Sequence, residues 1–373
     1  MINRTVDIKK ILNKNKVLII YGPRQVGKTT LIKEFLKTTS NPYIFKTGDD
    51  ISFSNDLSEC SLEKFKKMVP VNTLFIIDEA QRIPNIGRAL KLIIDNIDDI
   101  TVVVTGSSSF DLANRTGESL TGRKIIQHLY PISLKEIAAN ISPYDLDKKL
   151  ADFLIYGMYP EPLTLPTSNE KIIKITEIAN SYLLKDILDF DMIKNSKVIL
   201  NLLKMIAFQI GSEVSTNELA KKLGVDKKTV ARYLDLLEKA FVLFRLDGFS
   251  RNLRKEINKM SKYYFYDNGI RNALISNFND LNTRNDIGQL WENFLVIEKV
   301  KTNSYLGRLA NYYFWRTYDK KEIDLIEERE GKLFGYELKW KREKISAPKD
   351  WLETYDNAKY EVISQENYQH FLL

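Results

Sequence analysis

Short apolar runs alternate with helical periodicities along the first third of the chain. Residues 17–21, 73–77 and 101–105 are continuous apolar or β-branched runs, the pattern of strands buried on both faces. Residues 42–46 and 124–130 add two more strand-like runs. The order predicts a parallel α/β sheet over residues 1–135. From Ser133 to about residue 210 the pattern turns helical, broken by a turn at 156–161, and reads as a helical lid over 136–210. Residues 217–223 and 227–239 predict two short helices around Gly224, and the runs 241–246 and 262–266 two strands after them. Together these give a winged helix-turn-helix over 211–267. Residues 286–300 read as an amphipathic helix with Leu290, Phe294, Leu295 and Ile297 inward. A strand at 312–316 and a hairpin turning near Glu330 and Gly331 follow, completing an α/β module over 268–373.

Composition narrows the classes. With 44% hydrophobic and 28% charged residues over 373 positions, the chain reads as an ordinary soluble protein of several modules. No apolar run reaches the roughly 20 residues of a membrane span, so no membrane partner is expected. The start of the chain leads into a polar helix rather than a signal peptide's apolar stretch. One cysteine, Cys60, excludes an internal disulfide, and with only His128 and His370 a Cys/His zinc site is excluded too. A cytoplasmic location is expected. The net charge of +7 permits a polyanionic partner without requiring one.

The first run flows into Gly22, Pro23, Arg24, Gln25, Val26, Gly27, Lys28, Thr29 and Thr30, then into a helix. Strand, glycine-rich loop and helix arrive in the order a phosphate-binding loop requires. Loop N–H groups would wrap phosphate, Lys28 would reach the β and γ phosphates, and Thr29 would hold Mg²⁺. The run 73–77 ends in Asp78 and Glu79. Asp78 is placed for Mg²⁺ and Glu79 to orient the attacking water. No guanine-reading Asn-Lys-x-Asp pattern stands where it would be needed, so ATP is expected over GTP. Ser107, with Ser108 close behind, is placed to sense the γ-phosphate. Arg123 is a candidate to act on a neighbour's γ-phosphate, which would require a homo-oligomer; Arg115 and Arg24 are weaker candidates. A surface arginine is the plainer reading of Arg123.

These motifs resemble the AAA-type ATPase family that reads GPRQVGKTT, IIDEAQ, TGSSS and a late GR, here residues 22–30, 76–81, 105–109 and 122–123. The resemblance implies a P-loop NTPase fold and a carboxy-terminal region ending in a nuclease-like fold.

Lys227, Lys228, Thr229 and Arg232 fall on the exposed face of the second helix of the helix-turn-helix, where DNA contact is expected. Arg251, Arg254, Lys255 and Lys259 lie on the following linker. The hairpin numbering sets residues 324 and 337 opposite each other, with Lys339 on the same face as Glu337. With Glu292 arriving from its helix, Asp324 and Glu337 form a candidate Mg²⁺ site beside Lys339. This arrangement resembles the PD-(D/E)xK nuclease superfamily, whose strand aspartate, E-x-K and helix glutamate match Asp324, Glu337 with Lys339, and Glu292. The resemblance implies a restriction-endonuclease-like domain that either cuts DNA or only binds it.

Overall fold

A computed structural model describes residues 2–107, 120–190, 196–249, 260–317 and 321–373, without the side chains of 181–190. The chain forms two compact units. One comprises Arg4–Tyr130 with Lys239–Phe241, and the other groups Pro131–Glu238 with Val242–Leu373. Ser108, Arg115 and the linker arginines and lysines at 251–259 lie outside the described residues.

The first unit is built on five parallel strands, β1 (Val17–Tyr21), β2 (Tyr43–Thr47), β3 (Leu74–Asp78), β4 (Thr101–Gly106) and β5 (Lys124–His128), in the order β2-β3-β4-β1-β5. The burial of each strand explains its rank. The central strands β1 and β3 are buried at every position and β4 at all but its first, whereas β2 and β5 keep part-exposed residues at the edges. Each fully buried aliphatic side chain contributes roughly 1.5–3 kcal/mol, so β-branched runs in the centre hold the sheet together. Because β4 lies between β1 and β3, its end stands between the loop after β1 and the carboxylates after β3. In such sheets ligands bind beyond the carboxyl ends of the strands.

The second unit holds the helical stretch and a seven-stranded sheet. Its helices include Leu134–Ala138, Pro143–Tyr156, Pro160–Thr164, Ser168–Phe190 and Ser196–Phe208. They are fastened to the rest of the unit by long-range bonds. Leu134 N–H donates to Glu298 at 2.5 Å, Met158 N–H to Asp267 at 2.6 Å, and the Asn272 amide to the Leu154 and Ile155 carbonyls. The stretch expected as a separate lid is thus part of the carboxy-terminal core.

The helices Thr216–Leu223 and Lys227–Lys239 flank Gly224 at φ +66°. Ser215 caps the first by accepting from Glu218 N–H at 3.3 Å, and Asp226 caps the second by accepting from Thr229 N–H at 2.8 Å. Strands β6 (Glu213–Val214), β7 (Leu243–Gly248) and β8 (Ser261–Phe265) join β9 (Asn311–Arg316), β10 (Glu322–Arg329), β11 (Lys332–Leu338) and β12 (Ala358–Ile363) in the order β12-β11-β10-β9-β7-β8-β6. One sheet therefore runs through the regions read from sequence as two modules divided at residue 267.

The β10–β11 hairpin has the expected register, Leu325 opposite Tyr336. Its turn uses Glu330 at φ +51° and Gly331 at +70°, the pair of positive angles a two-residue hairpin needs. Against β9 the register slips by one residue between Ile323 and Ile326. This bulge lets Ile323 and Ile326, three apart, both enter one core with Trp315 and Trp351.

The helix Ile287–Tyr305 was expected to be amphipathic; it is buried nearly all round, including Glu298, Lys299 and Lys301. Its charges are accommodated by pairing, Lys301 with Glu298 at 2.7 Å and Lys299 with Glu327 at 3.8 Å. A helix buried on every side belongs to the centre of its unit.

Candidate functional site

The loop after β1 begins at Gly22, where a side chain would meet the Leu129 carbonyl oxygen at 1.9 Å, so only glycine fits. Gly27, at φ +95°, starts the helix Lys28–Thr38 in the left-handed region. Lys28 is buried and donates to the Gly22 and Pro23 carbonyls at 2.9 and 2.8 Å, bent back over its own loop. Arg4 braces the loop from below in sequence, donating to the carbonyls of Val26 and Tyr130, each at 2.7 Å. No sequence motif marked Arg4.

Three separate segments meet at the strand ends. Thr29 Oγ1 donates to Asp78 Oδ2 at 2.7 Å, and Thr105 donates to Asp78 Oδ1. Glu79 sits at φ +51° with its N–H donating to Thr105 Oγ1 at 3.0 Å. Gln81 Nε2 donates to Glu79 Oε2 at 2.5 Å and to Ser107 Oγ at 3.0 Å. Ser107 is thus beside Glu79, joined through Gln81, the last residue of the 76–81 motif. Gly48 is a further missed position, since a Cβ there would lie 2.4 Å from the Glu79 carbonyl oxygen. The oxygen donors of Thr29 and Asp78 are the hard ligands Mg²⁺ takes.

Arg123 is not in this group. It precedes β5, whose first residue pairs with Val17 at the start of β1, and so lies at the opposite end of the strands from the loop. Its guanidinium pairs with Asp95.

In the second unit, Lys227, Lys228 and Arg232 are exposed, as read from sequence. Thr229 differs: its hydroxyl donates to Asp226 Oδ2 at 2.8 Å and serves the helix cap.

The sheet brings Glu292, Asp324, Glu337 and Lys339 together. Lys339 Nζ lies 2.6 Å from Glu337 Oε1 and 3.8 Å from Asp324 Oδ2, and Leu338 N–H donates to Asp324 at 2.8 Å. Glu292 accepts from the Tyr264 hydroxyl at 2.6 Å and from Lys262 at 3.4 Å. Lys262, absent from the sequence reading of the site, also pairs with Glu322 at 2.6 Å. Burial pushes the Glu292 carboxyl up to about 7, against the pull of Lys262. Burial alone would lower Lys262, but Glu292, Glu322 and Asp324 outweigh it and hold its pKa above the ordinary lysine value. Burial and the neighbouring Asp324 likewise raise Glu337. Among the described residues no group of three His, Cys, Asp or Glu side chains is arranged to hold a metal ion. The carboxylates are near each other but turn to lysines, a tyrosine and a backbone N–H.

Comparisons with known proteins divide the chain in three. Residues 14–138 match the AAA domain family, which supports ATP binding and hydrolysis by this unit. Residues 147–281 and 287–369 match two domains of unknown function. An uncharacterized protein of Mycobacterium tuberculosis is 26% identical over 339 residues, 89% of this chain and 72% of the relative. Uncharacterized proteins of Methanocaldococcus jannaschii and Haemophilus influenzae are each 25% identical, covering 100% and 95% of this chain and 89% and 90% of the relatives. Among solved structures, the Walker-type ATPase of Pyrococcus abyssi aligns with a TM-score of 0.45 and 14% identity over 69% of this chain and 91% of that one. A RuvB mutant of Thermotoga maritima aligns at 0.32 and 20% identity, over 62% and 82%. No helix among the described residues is long and apolar enough to cross a membrane.

Proposed function

We propose that the chain is a Mg²⁺-dependent ATPase whose nucleotide state controls a DNA-binding carboxy-terminal half. The observation that carries the ATPase reading is the hydrogen-bonded chain Thr29, Asp78, Thr105, which joins the phosphate loop to the ends of β3 and β4. In this reading the loop N–H groups of residues 22–30 take the phosphates, and Lys28 exchanges its two loop carbonyls for the β and γ phosphates. Thr29 and Asp78 would hold Mg²⁺, which supplies charge neutralisation at the phosphates. Glu79 orients the attacking water, and Ser107 senses the γ-phosphate through Gln81. Arg123 would act only on a neighbouring subunit, because it lies at the far end of its own sheet.

The carboxy-terminal half joins a winged helix to a PD-(D/E)xK nuclease-like sheet. Exposed Lys227, Lys228 and Arg232 support DNA contact by the second helix. Scarce cysteine fits work in a reducing cytoplasm.

A second reading is a nucleotide-gated regulatory ATPase in which the nuclease-like sheet binds without cutting. The pairing of its carboxylates with Lys262 and Lys339 favours this reading. The deciding experiment incubates plasmid and branched DNA with Mg²⁺ or Mn²⁺, with and without ATP, beside the Asp324→Asn variant. Cleavage that the variant loses establishes a nuclease; ATP turnover without cleavage by wild type establishes the second reading. Absence of ATP turnover overturns both.

A further inference from the structure

We propose that Lys262 is a built-in counter-cation that closes the Glu292, Glu322, Asp324 and Glu337 cluster to divalent metal in the resting chain. The inference rests on reading this cluster as nuclease-like, and it concerns what occupies the place a metal would take.

Every carboxylate of the cluster already has a donor. Glu322 Oε1 faces Lys262 Nζ at 2.6 Å, and its other oxygen faces Arg316 at 3.7 Å. Glu292 Oε1 takes the Tyr264 hydroxyl at 2.6 Å and Lys262 at 3.4 Å. Asp324 takes the Leu338 N–H, and Glu337 takes Lys339. A Mg²⁺-sized ion needs several oxygens about 2.0–2.1 Å away in near-octahedral array. Here the oxygens turn instead to the ammonium groups of Lys262 and Lys339, the Arg316 guanidinium, the Tyr264 hydroxyl and the Leu338 N–H.

Lys262 is also held in place. It is 3% exposed and sits on β8, paired with Glu213 of β6 and Leu246 of β7. Its ammonium lies 5.4 Å from the centre of the Phe314 ring. Moving it aside for a metal would bury a charge without partners, which is costly. Keeping it beside a metal would set like charges a few ångströms apart. The strand that carries this charge precedes the nuclease-like hairpin by some sixty residues in sequence, so the match to the motif says nothing about it. Gly211 completes the fit: a side chain there would press on both Glu292 oxygens at 3.1 Å.

The test titrates the full nucleotide-free chain with Mn²⁺, reading free Mn²⁺ by electron paramagnetic resonance. Wild type, Asp324→Asn, Lys262→Met and the Lys262→Met/Asp324→Asn double variant are compared, with folding checked by circular dichroism. Wild type is expected to take up no Mn²⁺ that Asp324→Asn removes. Lys262→Met is expected to gain one site, at least about tenfold tighter than anything in wild type, which the double variant loses. One Mn²⁺ bound by wild type and lost in Asp324→Asn overturns the proposal, as does a folded Lys262→Met that gains no site. Should Lys262→Met fail to fold, Lys262→Gln, which removes the charge and keeps a polar side chain, takes its place in the same comparison. Binding of fluorescent duplex DNA without metal is measured on the same samples. Its absence would overturn the DNA-binding reading and leave the Mn²⁺ result standing.

Discussion

The Gln81 side-chain amide donates to the Glu79 carboxylate at 2.5 Å, and the same nitrogen reaches the Ser107 hydroxyl at 3.0 Å. Glu79 is held from both sides, by this amide and by its own N–H on Thr105. Under the proposed reading, in which Glu79 orients water, its direction has to be fixed. Gln81→Leu is therefore expected to lower kcat for ATP by roughly tenfold to a hundredfold while leaving ATP affinity nearly unchanged. Steady-state ATPase kinetics beside equilibrium nucleotide binding would check it, and an unchanged kcat would remove Gln81 from the site. Glu79→Gln should bind ATP and fail to turn it over.

Lys28 presently spends its charge on two loop carbonyls. Exchanging them for phosphate oxygens gives stronger, charge-assisted bonds. Lys28→Ala should abolish tight ATP binding, read as loss of signal from a fluorescent ATP analogue, with the thermal midpoint of the unliganded protein shifted only slightly.

Asp286 precedes the buried helix Ile287–Tyr305 and ties down two guanidiniums. It pairs with Arg271 and takes Arg284 at 2.8 and 2.9 Å. Burial pushes its carboxyl up, but Arg284 and Arg271 overcome that and pull it down to about 2. A folded-state value below the unfolded one means this stabilisation is fully present above about pH 4. It is lost as pH falls through 4 toward 2. Asp286→Asn should cost roughly 3–5 kcal/mol at neutral pH by stranding both arginines. It should also flatten the acid limb of stability, measured by urea denaturation across that range.

For the exposed helix, Lys227→Ala with Lys228→Ala and Arg232→Ala should weaken duplex DNA binding about equally for all sequences. The slope of log affinity against log salt should fall by up to about 3 if all three contact phosphates. Fluorescence anisotropy at several salt concentrations reads both quantities, and an unchanged slope would move DNA contact elsewhere.

Much of the nucleotide site was legible because its parts are contiguous. The strand, loop and helix from Val17 to Thr38 follow one another, and Asp78 and Glu79 end a strand of the same kind. The hairpin was legible for a related reason: opposition of 324 and 337 follows from counting outward from the Glu330–Gly331 turn, and the register agrees. Arg123 shows the limit. Its motif was visible, but only the strand pairing places it at the far end of the sheet from the loop. Thr229 shows it on a smaller scale, since facing outward on a helix does not reveal that its hydroxyl is taken by Asp226.

The sequence by itself determined the elements and the chemistry written in unbroken stretches, because local propensity, turn residues and short loops act between near neighbours. Tertiary structure alone decided the strand order that sets Thr105 between the loop and Asp78. It decided the bracing of the loop by Arg4, and the single sheet that carries Lys262 into a carboxylate cluster read as a metal site. These depend on contacts between residues far apart in the chain, whose partners are set by packing and by the need to pair every buried charge. No spacing rule encodes them.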